Sequence, residues 1–295
     1  VNIPRLTAFA VIVVTLAACL PEASPSPSPQ PSATTIAITR PRYELATYMY
    51  ALQTRNKIRI GVLDNAAPFS TREPSGRYSG FEPDIGRELA RALFGLQPDI
   101  DSFIEWISVD SSTAVTALTS LQADVVIARL AATDERAGVI DMSDPYFITG
   151  ERILVTSTND EIKDLADLDT KTVCVLPGSG VDKHLEDAND SARILELDTY
   201  ASCLGALTAG QVDAIGADEA STLWGLMGQD PNTKIVGRPI LEARYGIATK
   251  KNTGDRQGFL PFLSQSVADI VRGNTWARLY AQHITPFSKE TKTSP

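Results

Sequence analysis

Asp124-Val125-Val126-Ile127-Ala128 is a short apolar run with an acid at its start and Arg129 directly after it. A stretch this apolar is the mark of a strand covered on both faces, as in the parallel sheet of an α/β protein. Upstream, Lys57-Ile58-Arg59-Ile60-Gly61-Val62-Leu63 alternates like a strand, and residues 83–94 read as a helix. Pro83 suits its first turn, and Ile85, Leu89, Ala92 and Leu93 are spaced to form one apolar face. Phe103 to Val109 predicts a second strand, with Ser111 or Ser112 as N-cap of a helix reaching Leu121. Downstream, strand candidates recur at 151–157, 172–176, 193–197, 213–217, 233–237 and 245–249, mostly with helical patterns between them. This alternation predicts an α/β architecture with largely parallel sheets. Ligands of such sheets bind beyond the carboxyl ends of the strands, so chemistry is expected in the loops that follow them.

The chain has 295 residues, with 36 acidic against 27 basic side chains and a formal net charge of -9. That balance argues against a nucleic-acid partner, which calls for a basic face to neutralise phosphates. Two histidines, His184 and His283, lie far apart, and three cysteines lack the spacing of a zinc site, so no metal and no cofactor is expected.

The N-terminus carries its own reading. Arg5 is the only charge in the first 18 residues, and an apolar stretch runs from Leu6 to Ala18. Its length suits a signal-peptide core and falls short of the roughly 20 residues of a membrane-spanning helix. It closes on Leu16-Ala17-Ala18-Cys19, which resembles the bacterial lipoprotein signal, in which a cysteine after small residues is lipidated and becomes the new N-terminus. Residues 1–18 are therefore expected to be removed and Cys19 to hold the protein on the outer face of the bacterial cytoplasmic membrane; a buried helix with an incidental cysteine is the alternative. Pro21, Pro25, Pro27, Pro29 and Pro31, interleaved with serine, mark residues 19–41 as an extended, semi-rigid tether.

Four further motifs stand after strand candidates. Gly80-Phe81-Glu82-Pro83-Asp84-Ile85 precedes Leu89-Ala90 and Leu93; the run from Asp124 passes through Arg129-Leu130-Ala131-Ala132 into Thr133-Asp134-Glu135-Arg136, with Ser143-Asp144-Pro145-Tyr146 following. Leu176-Pro177-Gly178-Ser179-Gly180 follows the strand at 172–176, and Gln211-Val212-Asp213-Ala214-Ile215-Gly216-Ala217-Asp218 ends in an acid. In order and spacing, over residues 42 to 285, these motifs resemble the polar amino-acid-binding proteins, the family 3 extracellular solute-binding proteins of ATP-driven importers. The chain departs from that pattern at Pro83, where an aliphatic residue or threonine is usual, at Ala131, where a hydroxyl is frequent, and at Ala66, where many relatives carry an aromatic.

The resemblance implies a two-lobed periplasmic-binding-protein fold (type II) with the ligand in a cleft between lobes joined by two hinge strands, crossed near 147–151 and 241–245. Residues 42–147 and 243–289 would form the first lobe, 148–242 the second, and 290–295 a C-terminal tail. It further implies that Arg136 clamps the ligand's α-carboxylate through a guanidinium fork, that the Ser179–Gly180 turn offers backbone amides to the same group, and that Asp218 accepts from the α-ammonium group. Asp218 equally suits a helix N-cap. Ala131 would contribute backbone only, and Phe69 and Phe81 are candidate apolar walls. Arg129, one residue past its strand, either faces the pocket, which would call for an acidic amino acid such as glutamate to balance its charge, or turns to solvent or to an acid such as Asp110. The implied partners are an amino acid and the membrane permease of an ABC importer, with the protein a monomer and not an enzyme. An extracytoplasmic dehydratase of the same fold and a ligand-sensing module for a membrane receptor are the alternatives.

Tyr200, Cys203, Leu204 and Leu207 share a helical face, and Cys174 lies within the neighbouring core strand. Outside the cytoplasm the two cysteines should form a disulfide if their Cα atoms lie within about 7 Å, and otherwise remain two buried thiols. Their surroundings also resemble glutamate-binding lipoproteins of the same family.

Overall fold

A computed structural model describes Val1 and residues 40–110, 112–288 and 292–295. The expected signal segment, Cys19 and nearly all of the tether lie outside the described residues.

Nine strands among the described residues form one sheet, eight of them along one path. Their order is Ile104–Val109, Ile58–Leu63, Val125–Val126, Glu242–Lys250, Ile140–Thr156, Ala214–Asp218, Thr172–Val175 and Arg193–Glu196, with Thr233–Val236 also against Ile140–Thr156. Each end of the path is parallel. Ile58–Leu63 runs parallel to both its neighbours, and Thr172–Val175 runs parallel to Ala214–Asp218 and Arg193–Glu196. The middle is antiparallel: Glu242–Lys250 pairs with residues 140–150 of the long strand Ile140–Thr156, whose remainder pairs antiparallel with Ala214–Asp218 and Thr233–Val236. The result is the two-lobed α/β fold with two shared strands as its hinge.

Ile140–Thr156 is 17 residues long, and its first half is not legible as strand in the sequence. Asp141, Ser143, Asp144 and Pro145 break the apolar alternation, and proline cannot donate to a ladder. The structure accommodates them by irregular pairing: Pro145 faces Gly246, and the register shifts on both sides of that glycine. A bulge leaves an unpaired backbone position where proline does no harm. Other boundaries move by a few residues. The strand expected at 124–128 contracts to Val125–Val126, and the helix read from Pro83 begins at Phe81. The helix expected from Ser111 or Ser112 spans Ala114–Thr119. Asp110, rather than a serine, receives the free amides there, accepting from Ser112 and Thr113 at 2.8 Å each. Among the described residues no helix is long and apolar enough to cross a membrane.

Phe147, on the long shared strand, is completely buried at the junction of the lobes. Its ring lies 5.0 Å from Phe69, 5.6 Å from Phe81, 6.2 Å from Trp224 and 6.2 Å from Tyr245. Three residues on, Gly150 lies tight against the segment that leads into the second shared strand. A Cβ there would stand 2.2 Å from the Leu241 carbonyl oxygen and 2.9 Å from Pro239. Gly150→Ala must therefore push the two apart. It is expected to destabilise by about 1–3 kcal/mol, read as a lowered melting temperature in calorimetry.

Cys174 and Cys203 form a disulfide, with Cα atoms 5.7 Å apart and both side chains completely buried. It ties the strand Thr172–Val175 to the helix Tyr200–Thr208.

Candidate ligand-binding site

The parallel strands of the first lobe end together, and their carboxyl ends line a cavity of about 670 Å³. Asp64 and Asn65 follow one strand, Ser108 and Asp110 end the second, and Arg129 follows the third, with Gln122 beside them. A volume of this order suits a small polar solute. Both carboxylates stay ionised near neutral pH. The Tyr78 hydroxyl, 2.5 Å away, is the main influence holding Asp64 below the usual carboxylate range. Asp110 is brought down to about 2, first by the Ser112 hydroxyl and then by the Thr113 amide.

Arg129 faces this cavity rather than solvent alone, and its backbone accounts for that. It adopts the left-handed conformation, φ 51°, uncommon for a side chain of this size. Its amide donates to Glu82 Oε1 at 2.6 Å and to the Tyr146 hydroxyl at 3.2 Å, which fixes the turn. Its guanidinium carbon then lies 5.9 Å from the centre of the Phe69 ring. Glu82 is completely buried, and Tyr146 donates to the same oxygen at 2.5 Å. Burial drives the Glu82 carboxyl up to about 7, against the opposing influence of the Tyr146 hydroxyl and the Arg129 charge.

Arg136 belongs to the short helix Asp134–Ala137, capped by Thr133, whose hydroxyl accepts from the Arg136 amide at 3.3 Å. Its Nη1 donates to the Ala131 carbonyl at 2.7 Å. Ala131 in turn forms an isolated antiparallel bridge with Tyr245 on the second shared strand. The Tyr245 hydroxyl reaches Asp218 Oδ2 at 3.4 Å. Arg136, Ala131, Tyr245 and Asp218 are thus linked in series from one lobe to the other. Burial first, and then the negative Asp218, push the Tyr245 hydroxyl up, while Arg129 pulls it down, so both charges are felt at this hydroxyl. Asp218 also caps the helical segment after its strand, accepting from the Ser221 amide at 2.6 Å.

On the second lobe, Gly178 and Gly180 both have left-handed φ, 69° and 83°, and reverse the chain after Thr172–Val175. Between them, Ser179 accepts from the Val181 amide at 3.3 Å, and its hydroxyl acts on the Tyr200 hydroxyl against the raising effect of burial. Glu151 stands directly opposite Asp218 in the antiparallel register and bonds His184 Nδ1 at 2.9 Å. Burial is the main influence raising the Glu151 carboxyl; His184 opposes it and the negative charges of Asp218 and Asp182 add to it.

Two expected wall residues belong to the core instead. Phe69 and Phe81 expose no surface. Phe69 stacks on Trp224 at 5.9 Å, and Phe81 packs on Phe147 and Trp276 at 5.6 and 6.1 Å. The aromatic cluster at the hinge draws both rings inward, so Phe69 meets the cavity only through the guanidinium lying over it. Conversely, Asp64, Glu82, Gln122, Glu151, His184 and Tyr245 join the site without having been assigned to it from sequence. Asp64 and Glu151 were open to discovery as polar residues at the ends of strand candidates. The roles of Glu82 and Tyr245 depend on partners dozens of residues away. Among the described residues, no group of three or more His, Cys, Asp or Glu side chains is placed to hold a metal ion.

The two-lobed fold has counterparts among known proteins. The chain is 32% identical over 204 residues to a glutamine-binding protein of Geobacillus stearothermophilus, covering 68% of this chain and 76% of that one. It is 25% identical over 234 residues to the glutamate-binding protein GluB of Corynebacterium glutamicum, covering 77% and 78%. A solved ancestral arginine-binding protein bound to glutamine superposes with a TM-score of 0.54 at 30% identity, covering 78% of this chain and 98% of that one. The family model for bacterial extracellular solute-binding proteins, family 3, matches residues 58–286, which include every residue of the site described above, and the chain belongs to that family.

Proposed function

We propose that this protein captures an amino acid of the glutamine–glutamate class in the cleft between its lobes and delivers it to the permease of an ABC importer. Family membership and relatives named for glutamine and glutamate binding support an extracytoplasmic amino-acid-binding component of an ABC transporter. In this reading residues 42–147 and 243–289 form the first lobe and 148–242 the second. Arg136 takes the α-carboxylate with help from the Ser179–Gly180 turn, and Asp218 takes the ammonium group. Ligand touching both lobes would favour the closed form. Lipidation at Cys19 would keep a monomeric protein at the outer face of the membrane, beside its permease.

The observation carrying the choice of side chain is that one cavity holds a cation and two ionised carboxylates, Arg129 with Asp64 and Asp110. Arg129 taken alone calls for glutamate. With the carboxylates beside it, a carboxamide fits better, since its oxygen accepts from a guanidinium while its NH2 donates to a carboxylate. Glutamine is therefore the favoured ligand and glutamate the second. Calorimetric titration of the full chain with the twenty amino acids tests this: glutamine is expected to bind tightest and glutamate next. Tight binding of arginine or lysine with neither of these would overturn the reading.

A further inference from the structure

Glu82 is a buried acid that no ligand contact accounts for. Its Oε1 accepts from the Arg129 amide and the Tyr146 hydroxyl, while its Oε2 is buried with no partner among the described residues. It is anchored to the backbone of Arg129, a residue that lines the cavity, while Glu82 itself is fully buried and not among the lining residues. The groups facing it are few: Arg129 from the loop, Tyr146 from the first shared strand and Tyr245 from the second. On its own helix, Asp84 is turned to Arg87 and to His283, at 2.9 and 2.7 Å. The Glu82 amide donates to the Phe69 carbonyl at 2.9 Å, and the Phe69 ring packs on Phe81.

We propose that Glu82 offsets the charge of Arg129 and so sets the choice between a neutral and an acidic ligand side chain, with a side-chain carboxylate bound together with a proton on Glu82. The inference rests on the proposed glutamine–glutamate class. With Glu82 ionised, three carboxylates, Asp64 and Asp110 at the cavity and Glu82 buried beside Arg129, stand against the guanidiniums of Arg129 and of Arg72, which pairs with Asp64 at 3.7 Å, and a carboxamide is preferred. With Glu82 protonated, Arg129 has one acid fewer to offset and accepts a carboxylate. The proton sits on a carboxyl whose burial already makes it a weak acid, and a second carboxylate nearby strengthens its hold on that proton. By linkage, glutamate affinity then falls as pH rises through the titration of Glu82, while glutamine affinity is not coupled to it. Asp64 and Asp110 are held low and stay ionised throughout that range. Glu151, bonded to His184, stands beside Asp218, where the α-group common to both ligands would bind, so any influence of this pair cancels in the ratio of the two affinities. Glu82 is here a positioning and charge-setting residue, not a ligand contact.

The test is titration calorimetry of the full chain with L-glutamine and L-glutamate between pH 5.5 and 8.5, repeated in buffers of different protonation enthalpy. Free glutamate keeps its side chain ionised over this range. The preference for glutamine over glutamate is expected to rise by about tenfold from the lower to the higher pH, with net proton uptake on glutamate binding alone. Glu82→Gln should hold the ratio flat at the value favouring glutamate. Tyr146→Phe, which removes a donor to the ionised form, should move the pH dependence to higher pH, and it serves as the second variant should Glu82→Gln fail to fold. A flat ratio in the wild type, or a pH dependence that survives in Glu82→Gln, overturns the inference while leaving the ligand class standing. Failure of both amino acids to bind removes the ligand class and the inference with it.

Discussion

Arg136→Ala is expected to weaken amino-acid binding by about a hundredfold or more while leaving the melting temperature nearly unchanged. Truncating one partner of a desolvated, hydrogen-bonded charge pair costs roughly 2–5 kcal/mol of binding free energy, and each 1.4 kcal/mol is about tenfold in affinity. The loss within the free protein is small, because Arg136 is only partly buried and its one described side-chain bond is Nη1 to the Ala131 carbonyl in its own loop. Arg136→Lys should fall between, keeping the charge while losing the planar fork that matches a carboxylate. The companion substitution is Asp218→Asn. Asparagine caps a helix about as well as aspartate, so the bond from the Ser221 amide should survive while the charge offered to the ammonium group is lost. Asp218→Ala would remove cap and charge together and add about 1 kcal/mol of destabilisation. Calorimetry for affinity and thermal melting for stability separate the roles. Affinity within threefold of wild type in Arg136→Ala would remove this residue from the clamp.

The strands that carry the two parallel cores were legible because burial on both faces writes itself as apolar composition. Ile58–Leu63, Thr172–Val175 and Ala214–Asp218 lie where the sequence predicts them. The first half of Ile140–Thr156 was not, since its pairing tolerates Pro145 only through the register shifts around Gly246, a partner about 100 residues downstream. The cleft divides in the same way. Arg136 and Asp218 stand in contiguous motifs, and each motif is a strand end running into a cap, which is local chemistry. The orientation of Arg129 is not local: it depends on a left-handed turn held by Glu82, 47 residues earlier in the chain. Phe69 and Phe81 follow or flank loops and so look like walls, yet Phe69 stacks on Trp224 from the other lobe. Competition between a cleft and a hinge core for the same ring is settled only when both halves are folded. Glu151 meets Asp218 through strand register, and a shift of one residue would have turned it to the other face.

Removing the Cys174–Cys203 bridge is expected to destabilise the protein by about 3–4 kcal/mol, the chain-entropy value for a loop of roughly 30 residues. The two cysteines are 29 residues apart in sequence. For a chain of this size that corresponds to a fall in melting temperature of roughly 10 °C. Both sulfurs are completely buried, so native protein should show no reactive thiol at either position by labelling and peptide mapping, with or without mild reductant. The reduced wild type in denaturant is the cleanest comparison, because oxidised and reduced forms differ by two hydrogens and leave no cavity. Cys174→Ala with Cys203→Ala adds a small packing loss, whereas serine would bury hydroxyls that have no assured partner. The bridge also bears on binding. Cys174 precedes the Gly178–Gly180 turn, and Cys203 shares a helix with Tyr200, whose hydroxyl is influenced by Ser179 of that turn. Loss of the bridge should therefore lower ligand affinity by a few fold at a temperature where both forms are folded, whereas Gly150→Ala, acting on the hinge crossing, should not loosen this turn. Two labelled thiols in the native protein, or a double variant melting within about 2 °C of wild type, would show that the strand and helix hold the turn without a covalent tie.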